Sequence, residues 1–307
     1  MLDALISKFI PSLVLDFNII IGKNYYMKKL LLSVLFIIGF GFAFSVGMGS
    51  GGEALRVRDG SIKTFDEMVA DAKKSEIVFI GELHDFSEHH QLELNVIRAL
   101  HESGTPVVIG LEMFRADSQR SLDNWVSGNL PLNKFLPVYY DNWREDWTLY
   151  ENIISYAREH GIPLIGLNIP DRIAKTVAQK GFTSLNASEK KQLPPEISCD
   201  VDPTYMNFIR RAYADHAPSV GKKFLNFCEA QMIWDKSMAW HIVQYLKANP
   251  GKKMVVLAGV GHAWRRGIPE QVDRLTNYPS TVILPIIPGQ VEPDSVTVRD
   301  TDYVVLR

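Results

Sequence analysis

Cysteine is scarce in this chain: Cys199 and Cys228 are the only two among 307 residues. Two thiols so placed exclude a zinc ribbon and a multi-disulfide scaffold. A basic surplus is also lacking, since 33 Lys+Arg face 35 Asp+Glu for a formal net charge of −2. Nucleic acid is therefore not expected as a partner, because phosphate contacts need clustered positive charge. Neither H-E-x-x-H nor G-x-S-x-G occurs, and no G-x-G-x-x-G opens a helix after a strand. Zincin, α/β-hydrolase and dinucleotide-binding readings lose support accordingly. No internal repeat is visible, and no low-complexity stretch outside the glycines near residue 50. What is present is ordinary globular composition, 46% hydrophobic and 22% charged, which excludes wholesale disorder. The length allows one or two domains with a large core.

Residues 30–48 form an uncharged apolar run preceded by Met27, Lys28 and Lys29 and followed by small residues such as Ser45, Gly47 and Gly49. A basic start, an apolar centre and a small-residue tail read as an export signal. The run is also long enough to stay as a membrane anchor. Residues 1–52 are thus an N-terminal extension with signal or anchor, Met27 is the expected true start, and 53–307 is the exported domain. No cysteine lies near the end of the run, so a lipoprotein is not expected. The expected location is the periplasm, free or membrane-anchored. In that oxidising compartment Cys199 and Cys228 can pair, although two buried thiols are the plainer expectation.

In the exported part, short apolar runs at 77–81, 107–111, 163–167, 254–259 and 281–287 alternate with helical patterns, and 303–306 adds an edge strand. Continuous apolar runs suit strands covered on both faces. Ser87 is expected to cap a helix that Gly104 ends, Gly161 ends another over 148–160, and Thr64 with Glu67 forms a capping-box pattern. This alternation predicts a three-layer α/β/α fold with a mainly parallel sheet. Residues 172–248 break the rhythm, with helices at 203–216 and 222–248, and read as a helical insertion or lid.

Each of the first four apolar runs delivers polar groups at its carboxyl end: Glu82 and His84, then Glu112, then Asp171 and Arg172, then His262. In an open parallel sheet those ends share one edge, where ligands bind. Two imidazoles and two carboxylates, Glu82, His84, Glu112 and His262, suit zinc, manganese or iron. The same groups can act as acid–base pairs without metal. His89 and His90 follow in the first helical turn, and either is a possible ligand. Aromatic residues 139, 140, 143, 147 and 150 crowd one helix start and read mainly as packing. On the helix 203–216, Tyr205, Ile209 and His216 share a face, and Tyr213 neighbours His216. Tyrosinate is a known haem-iron ligand, although an amphipathic lid helix with surface tyrosines gives the same pattern. The absence of C-x-x-C-H excludes covalent haem. Asp235 lies on an otherwise apolar stripe and needs a partner, for which Arg210 or Arg211 is the candidate.

The elements GELHDFSEHH (81–90), GLEMF (110–114), LNIPDRI (167–173), DPTYMNFIRRAYADH (202–216), AQMIWDKSMA (230–239) and GHAW (261–264) resemble the ChaN-like haem-binding uptake proteins of the Tiki superfamily. The ordered set covers about 60–307. The resemblance implies an exported haem-binding protein for haem or iron uptake, a homodimer able to hold stacked haems, and membrane haem-transport partners. It implies iron ligation by tyrosine, with Tyr205 first because it sits in the DPTY element, then Tyr213 and His216. Arg172, following a strand end, is a candidate for the propionates. Members are often lipoproteins, and this chain departs from them there. The superfamily also contains metal-dependent peptidases whose Gly-x-x-His and Glu residues resemble Gly81, His84 and Glu112. A hydrolase therefore stands as the alternative, and an anchored interaction module with a vestigial cluster as a third option.

Overall fold

The computed structural model describes residues 52–195, 197–216 and 224–306, with the side chains of 212–216 outside that set. The expected export segment lies outside the described residues. Among those described, no helix is long and apolar enough to cross a membrane.

In chain order the elements are β1 (Ala54–Arg56), β2 (Ser61–Lys63), α1 (Phe65–Ala72), β3 (Ile77–Glu82), α2 (Ser87–Glu102), β4 (Val107–Arg115), α3 (Gln119–Val126), α4 (Leu132–Asn142) and α5 (Trp147–Glu159). They continue with β5 (Leu164–Asn168), α6 (Asp171–Lys180), α7 (Ala187–Lys190), α8 (Pro203–His216), α9 (Phe224–Ala248), β6 (Lys253–Gly259), α10 (Val260–Ala263), α11 (Ile268–Asp273), β7 (Ser280–Pro285) and β8 (Tyr303–Val305). The strands form one eight-stranded sheet in the order β2-β1-β8-β7-β3-β6-β4-β5. It is parallel from β8 through β5, and β1 pairs antiparallel with both β2 and β8.

The central strands are apolar along their length because both faces are covered. Val78, Ile80, Ile109 and Leu111 pack with α1–α5 on one side. Ile77, Phe79, Val108 and Val256 pack with α9 and α11 on the other. Burying each such side chain stabilises the fold by about 1.5–3 kcal/mol. The expected three-layer α/β fold is therefore present. β1 and β2, each three residues long, are additions that no apolar run marked. The Thr64–Glu67 capping box forms as the spacing suggests. Gly104 and Gly161 follow their helices with φ of +79° and +64°, a left-handed turn that glycine adopts at least cost. Ser87 does not cap α2. Phe86 holds that place and Ser87 is the first helical residue, its hydroxyl turned to Glu88.

The helical segment after β5 has two parts. The helix α6, residues Leu185, Leu193 and Ile197, Tyr205 and Ile209 of α8, and the first half of α9 make a small core of their own. The second half of α9, Met238 to Leu246, packs on the sheet itself. This one helix of 25 residues therefore joins the subdomain to the layer covering the sheet. It serves as the crossover between β5 and β6, rather than as a lid along its whole length.

Cys199 and Cys228 form a disulfide with Cα atoms 5.7 Å apart, correcting the expectation of two free thiols. It ties the segment before α8 to α9, beside Tyr205 and Met232 in the same small core. The bridge spans 29 positions of sequence, and a loop of that size is worth ~3–4 kcal/mol of chain entropy. Replacing both cysteines by serine is expected to lower the unfolding free energy by about that amount in denaturant titrations.

Candidate functional site

β6 is made late in the chain but lies between β3 and β4. Glu82 ends β3 opposite Gly259 at the end of β6, and Leu111 of β4 pairs with Leu257. Residues 82, 112 and 259–262, far apart in sequence, thereby become neighbours at one carboxyl edge.

Alternation along β3 sends Val78 and Ile80 toward the α1–α5 layer, and Glu82 follows on the same side. There its Oε1 accepts from the Tyr150 hydroxyl at 2.5 Å and pairs with His84 Nδ1 at 2.7 Å. His90 Nε2 stands 3.0 Å from Glu82 Oε2, but the two are not aligned as a hydrogen bond. Glu93, one helical turn on in α2, is fully buried with neither oxygen hydrogen-bonded. Burial favours the neutral form of Glu82, yet the His84 and His90 imidazoles outweigh it and hold the carboxyl below the usual range. Glu93 moves the opposite way, pushed well up by burial and by the charge of Glu82. The two acids are thus driven apart, Glu82 downward and Glu93 upward. His89 does not face the cluster: its Nδ1 accepts from the Leu83 backbone N–H at 2.9 Å and so fixes the β3–α2 turn.

A second buried pair stands across the edge. His262 of α10 directs Nδ1 to Asp235 Oδ1 at 2.6 Å, and the Tyr205 hydroxyl donates to Asp235 Oδ2 at 2.5 Å. The partners of Asp235 are thus His262 and Tyr205, not Arg210 or Arg211, both of which are exposed. Glu112 links the two halves. Its Oε2 accepts from the Gly259 N–H at 2.7 Å, and its Oε1 lies 3.7 Å from His262 Nε2. Gly259 is required by crowding: a Cβ there would lie 2.8 Å from His84 Cε1 and 3.0 Å from its Nε2. Trp143 meets the His84 ring edge-on at 4.8 Å.

Each imidazole therefore has a buried carboxylate on Nδ1 and an Nε2 left for other partners. Burial disfavours the cation at both. For His84 the bond to Glu82 and the nearby Glu112 prevail and raise its pKa. For His262 the Glu112 and Asp235 charges prevail and raise it to about 9. A hollow of about 430 Å³ opens beside them, with Leu83, Phe208 and Val260 as apolar wall and Asp85 and Glu145 as further acids. A smaller one of about 220 Å³ lies on the other side of His262, lined by Glu112, Arg115, Trp143 and Trp234.

Of the residues singled out by sequence, Glu82, His84, Glu112 and His262 gather at this edge. Both oxygens of Glu82 face Tyr150, His84 and His90, away from Glu112 and His262. Tyr205 is 1% exposed. Its phenol is held well above the ordinary tyrosine pKa, by burial first and then by Asp235. Tyr213 and His216 belong to α8, but their side chains lie outside the described residues. Arg172 is exposed and paired with Glu189 at 3.1 Å, and it lines neither hollow. Sequence reasoning missed Glu93, and it took Tyr150 for packing and Asp235 for a structural residue. The i, i+3 spacing of His90 and Glu93 was the available signal for the first.

Fold and edge together define an α/β protein whose candidate ligand site is built from buried carboxylate–imidazole pairs at parallel strand ends. Residues 68–272 match the family of haem-binding uptake proteins of the Tiki superfamily, ChaN, and the chain belongs to it. Its fold is similar to that of ChaN from Campylobacter jejuni, solved for cofacial haem binding. The TM-score is 0.64 at 19% identity, over 82% of this chain and 95% of that one. In sequence it is similar to protein RETICULATA-RELATED 5, chloroplastic, of Arabidopsis thaliana, 26% identical over 229 residues. That alignment takes in 69% of this chain and 31% of the plant protein, so this chain spans about a third of that relative's length. A weaker likeness to the erythromycin esterase EreC, with a TM-score of 0.45 at 13% identity, is too distant to carry an argument.

The raised His262 gives a pH dependence. Its folded pKa of about 9 exceeds the ordinary value of about 6.5. The stability it contributes is therefore complete below pH ~6.5 and lost as pH rises through about 9. Asp235→Asn is expected to lower the His262 midpoint by about 1–3 pH units, as loss of a contacting opposite charge does. Ring-proton NMR titration reads that midpoint, and an unchanged value would assign the raised pKa to Glu112 alone.

Proposed function

We propose that this chain binds haem outside the cytoplasm and serves haem or iron uptake or handling, either free in the periplasm or held at a membrane. Membership of a haem-binding uptake family supports the class of ligand. The observation that carries the site is the hollow of about 430 Å³ whose wall joins Leu83, Phe208 and Val260 to the imidazoles of His84 and His262. Apolar groups suit a macrocycle, and nitrogen or phenol oxygen suits iron. Among the described residues lining that hollow there is no Lys or Arg, while Glu82, Asp85 and Glu145 are acidic. The propionates would therefore need a cation from beyond that lining, and Arg172, paired with Glu189 in this structure, is the proposed partner.

The iron ligand is proposed to be a tyrosine of α8. Tyr205 would have to give up its bond to Asp235 to serve, so Tyr213 becomes the first residue to test, followed by Tyr205 and His216. Bound haem would supply a ferric centre open to phenolate, and Asp235 and Glu112 would hold the protonation of His262 beside it. A haem-linked homodimer and a membrane haem transporter are the partners in this reading. Titration of the full chain with hemin, followed by native mass measurement, is expected to give stoichiometric uptake and a tyrosinate charge-transfer band. Tyr213→Phe should abolish that band. A band that survives Tyr213→Phe and Tyr205→Phe alike would refute tyrosine ligation, and absence of uptake would refute the haem reading.

The two carboxylate–imidazole pairs favour a second reading, a hydrolase. In each pair the buried acid holds Nδ1 and leaves Nε2 of His84 or His262 to substrate, and His262, its pKa raised to about 9, would give a proton there as a general acid. Zinc, manganese or iron bound near Glu112 and His262 would supply Lewis-acid activation of water. Ester or peptide cleavage abolished by His262→Gln, with hemin uptake intact, is the outcome this reading requires.

A further inference from the structure

Behind the rim, in the layer between β3 and α2, lies a group of polar residues of which the readings above use only Glu82, through its Oε1. Glu82, His90 and Glu93 are each at least nine-tenths buried. Each offers one ligand atom, and these atoms lie within 4.8 Å of one another. Glu82 Oε2, both nitrogens of His90 and both oxygens of Glu93 have no hydrogen-bond partner. Two carboxylates and an imidazole left so in the dry interior carry a desolvation cost that something must offset.

We propose that Glu82, His90 and Glu93 bind one divalent transition-metal ion. His90 and Glu93 stand at i, i+3 on α2 and so share a face, and Glu82 meets them from β3. His90 Nε2 and Glu82 Oε2 are 3.0 Å apart without hydrogen-bond alignment. That separation is compatible with two ligands along one edge of a coordination polyhedron. One nitrogen and two carboxylates suit zinc, manganese or ferrous iron. The ion's two positive charges equal the two carboxylate charges, so the loaded group is neutral in the core. Tyr150 donates to Glu82 Oε1 at 2.5 Å and its ring lies 4.4 Å from that of His90, which holds both ligands from outside. The ion would clamp Oε2 of Glu82 while Oε1 orients His84, making it a positioning element for the rim. The site is distinct from a rim site of Glu112, His84 and His262, because it contains a single imidazole.

The full chain, purified without metal-affinity steps from cells supplied with zinc, manganese or iron, tests this by elemental analysis and X-ray absorption. The expected result is one divalent ion per chain, with nitrogen and oxygen ligands only at about 2.0–2.2 Å and the scattering of one imidazole. Glu93→Gln should lose the ion while remaining folded by circular dichroism, and His84→Ala and His262→Ala should keep it. Protein metal-free from all three media would overturn the proposal in favour of a proton shared between Glu82 and Glu93. A two-imidazole signal, or loss of metal tracking His84 and His262, would overturn it in favour of the rim. The wild-type absorption spectrum decides between these even if Glu93→Gln fails to fold.

Discussion

A carboxylate withdrawn from water must find positive charge, a proton or a donor, and this constraint organises the carboxyl edge of the sheet. Glu82, Glu93, Glu112 and Asp235 are all nearly or fully buried there. An unpaired one would cost several kcal/mol. Each of the others answers differently. Glu82 takes His84 and Tyr150, Glu112 takes a backbone N–H of β6, and Asp235 takes His262 and Tyr205. The arrangement locks β3, β4, β6, α5, α8 and α9 to one another through polar groups. Apolar packing alone would not set their relative positions to that precision.

The same constraint divides labour among the histidines. His84 and His262 are raised because buried acids surround them, each with a carboxylate on Nδ1. His89 is lowered by burial and acts as a neutral acceptor inside a turn. Three imidazoles within nine residues of chain, at 84, 89 and 90, thus have three environments. The backbone geometry of the strand-to-helix turn selects which is which. Family membership points to haem as the ligand class, while the acid–imidazole edge adds titratable groups beside the hollow. The two fit together if the edge tunes or receives what the adjacent hollow holds.

How much was legible beforehand depended on the range of the interaction. The five longer strands, and the three-residue β8, showed as apolar runs because coverage on both faces leaves no polar alternation. β1 and β2 did not show, since three residues such as Ala-Leu-Arg carry no period. The Thr64 capping box is a contact within four residues and was readable. Ser87 misled because its type suits a cap, whereas the chain turns one residue earlier at Phe86. Strand ends pointed to Glu82, His84, Glu112 and His262 since topology alone gathers such ends. Glu93 stayed hidden because an acid within an amphipathic helix looks like solvated surface until the face is known.

Sequence by itself determined the alternation of strands and helices, the helix stops at Gly104 and Gly161, and which residue types each strand delivers to the edge. Those are local properties of neighbouring residues. The tertiary structure decided that β6 enters between β3 and β4, that Asp235 meets Tyr205 and His262 instead of an arginine, and that Cys199 reaches Cys228. It also decided that Tyr205 points inward and Arg172 outward. Such pairings join residues tens to hundreds of positions apart, and they are fixed by the order of strands and by the expulsion of water from the space between layers, neither of which is written in any short stretch of chain.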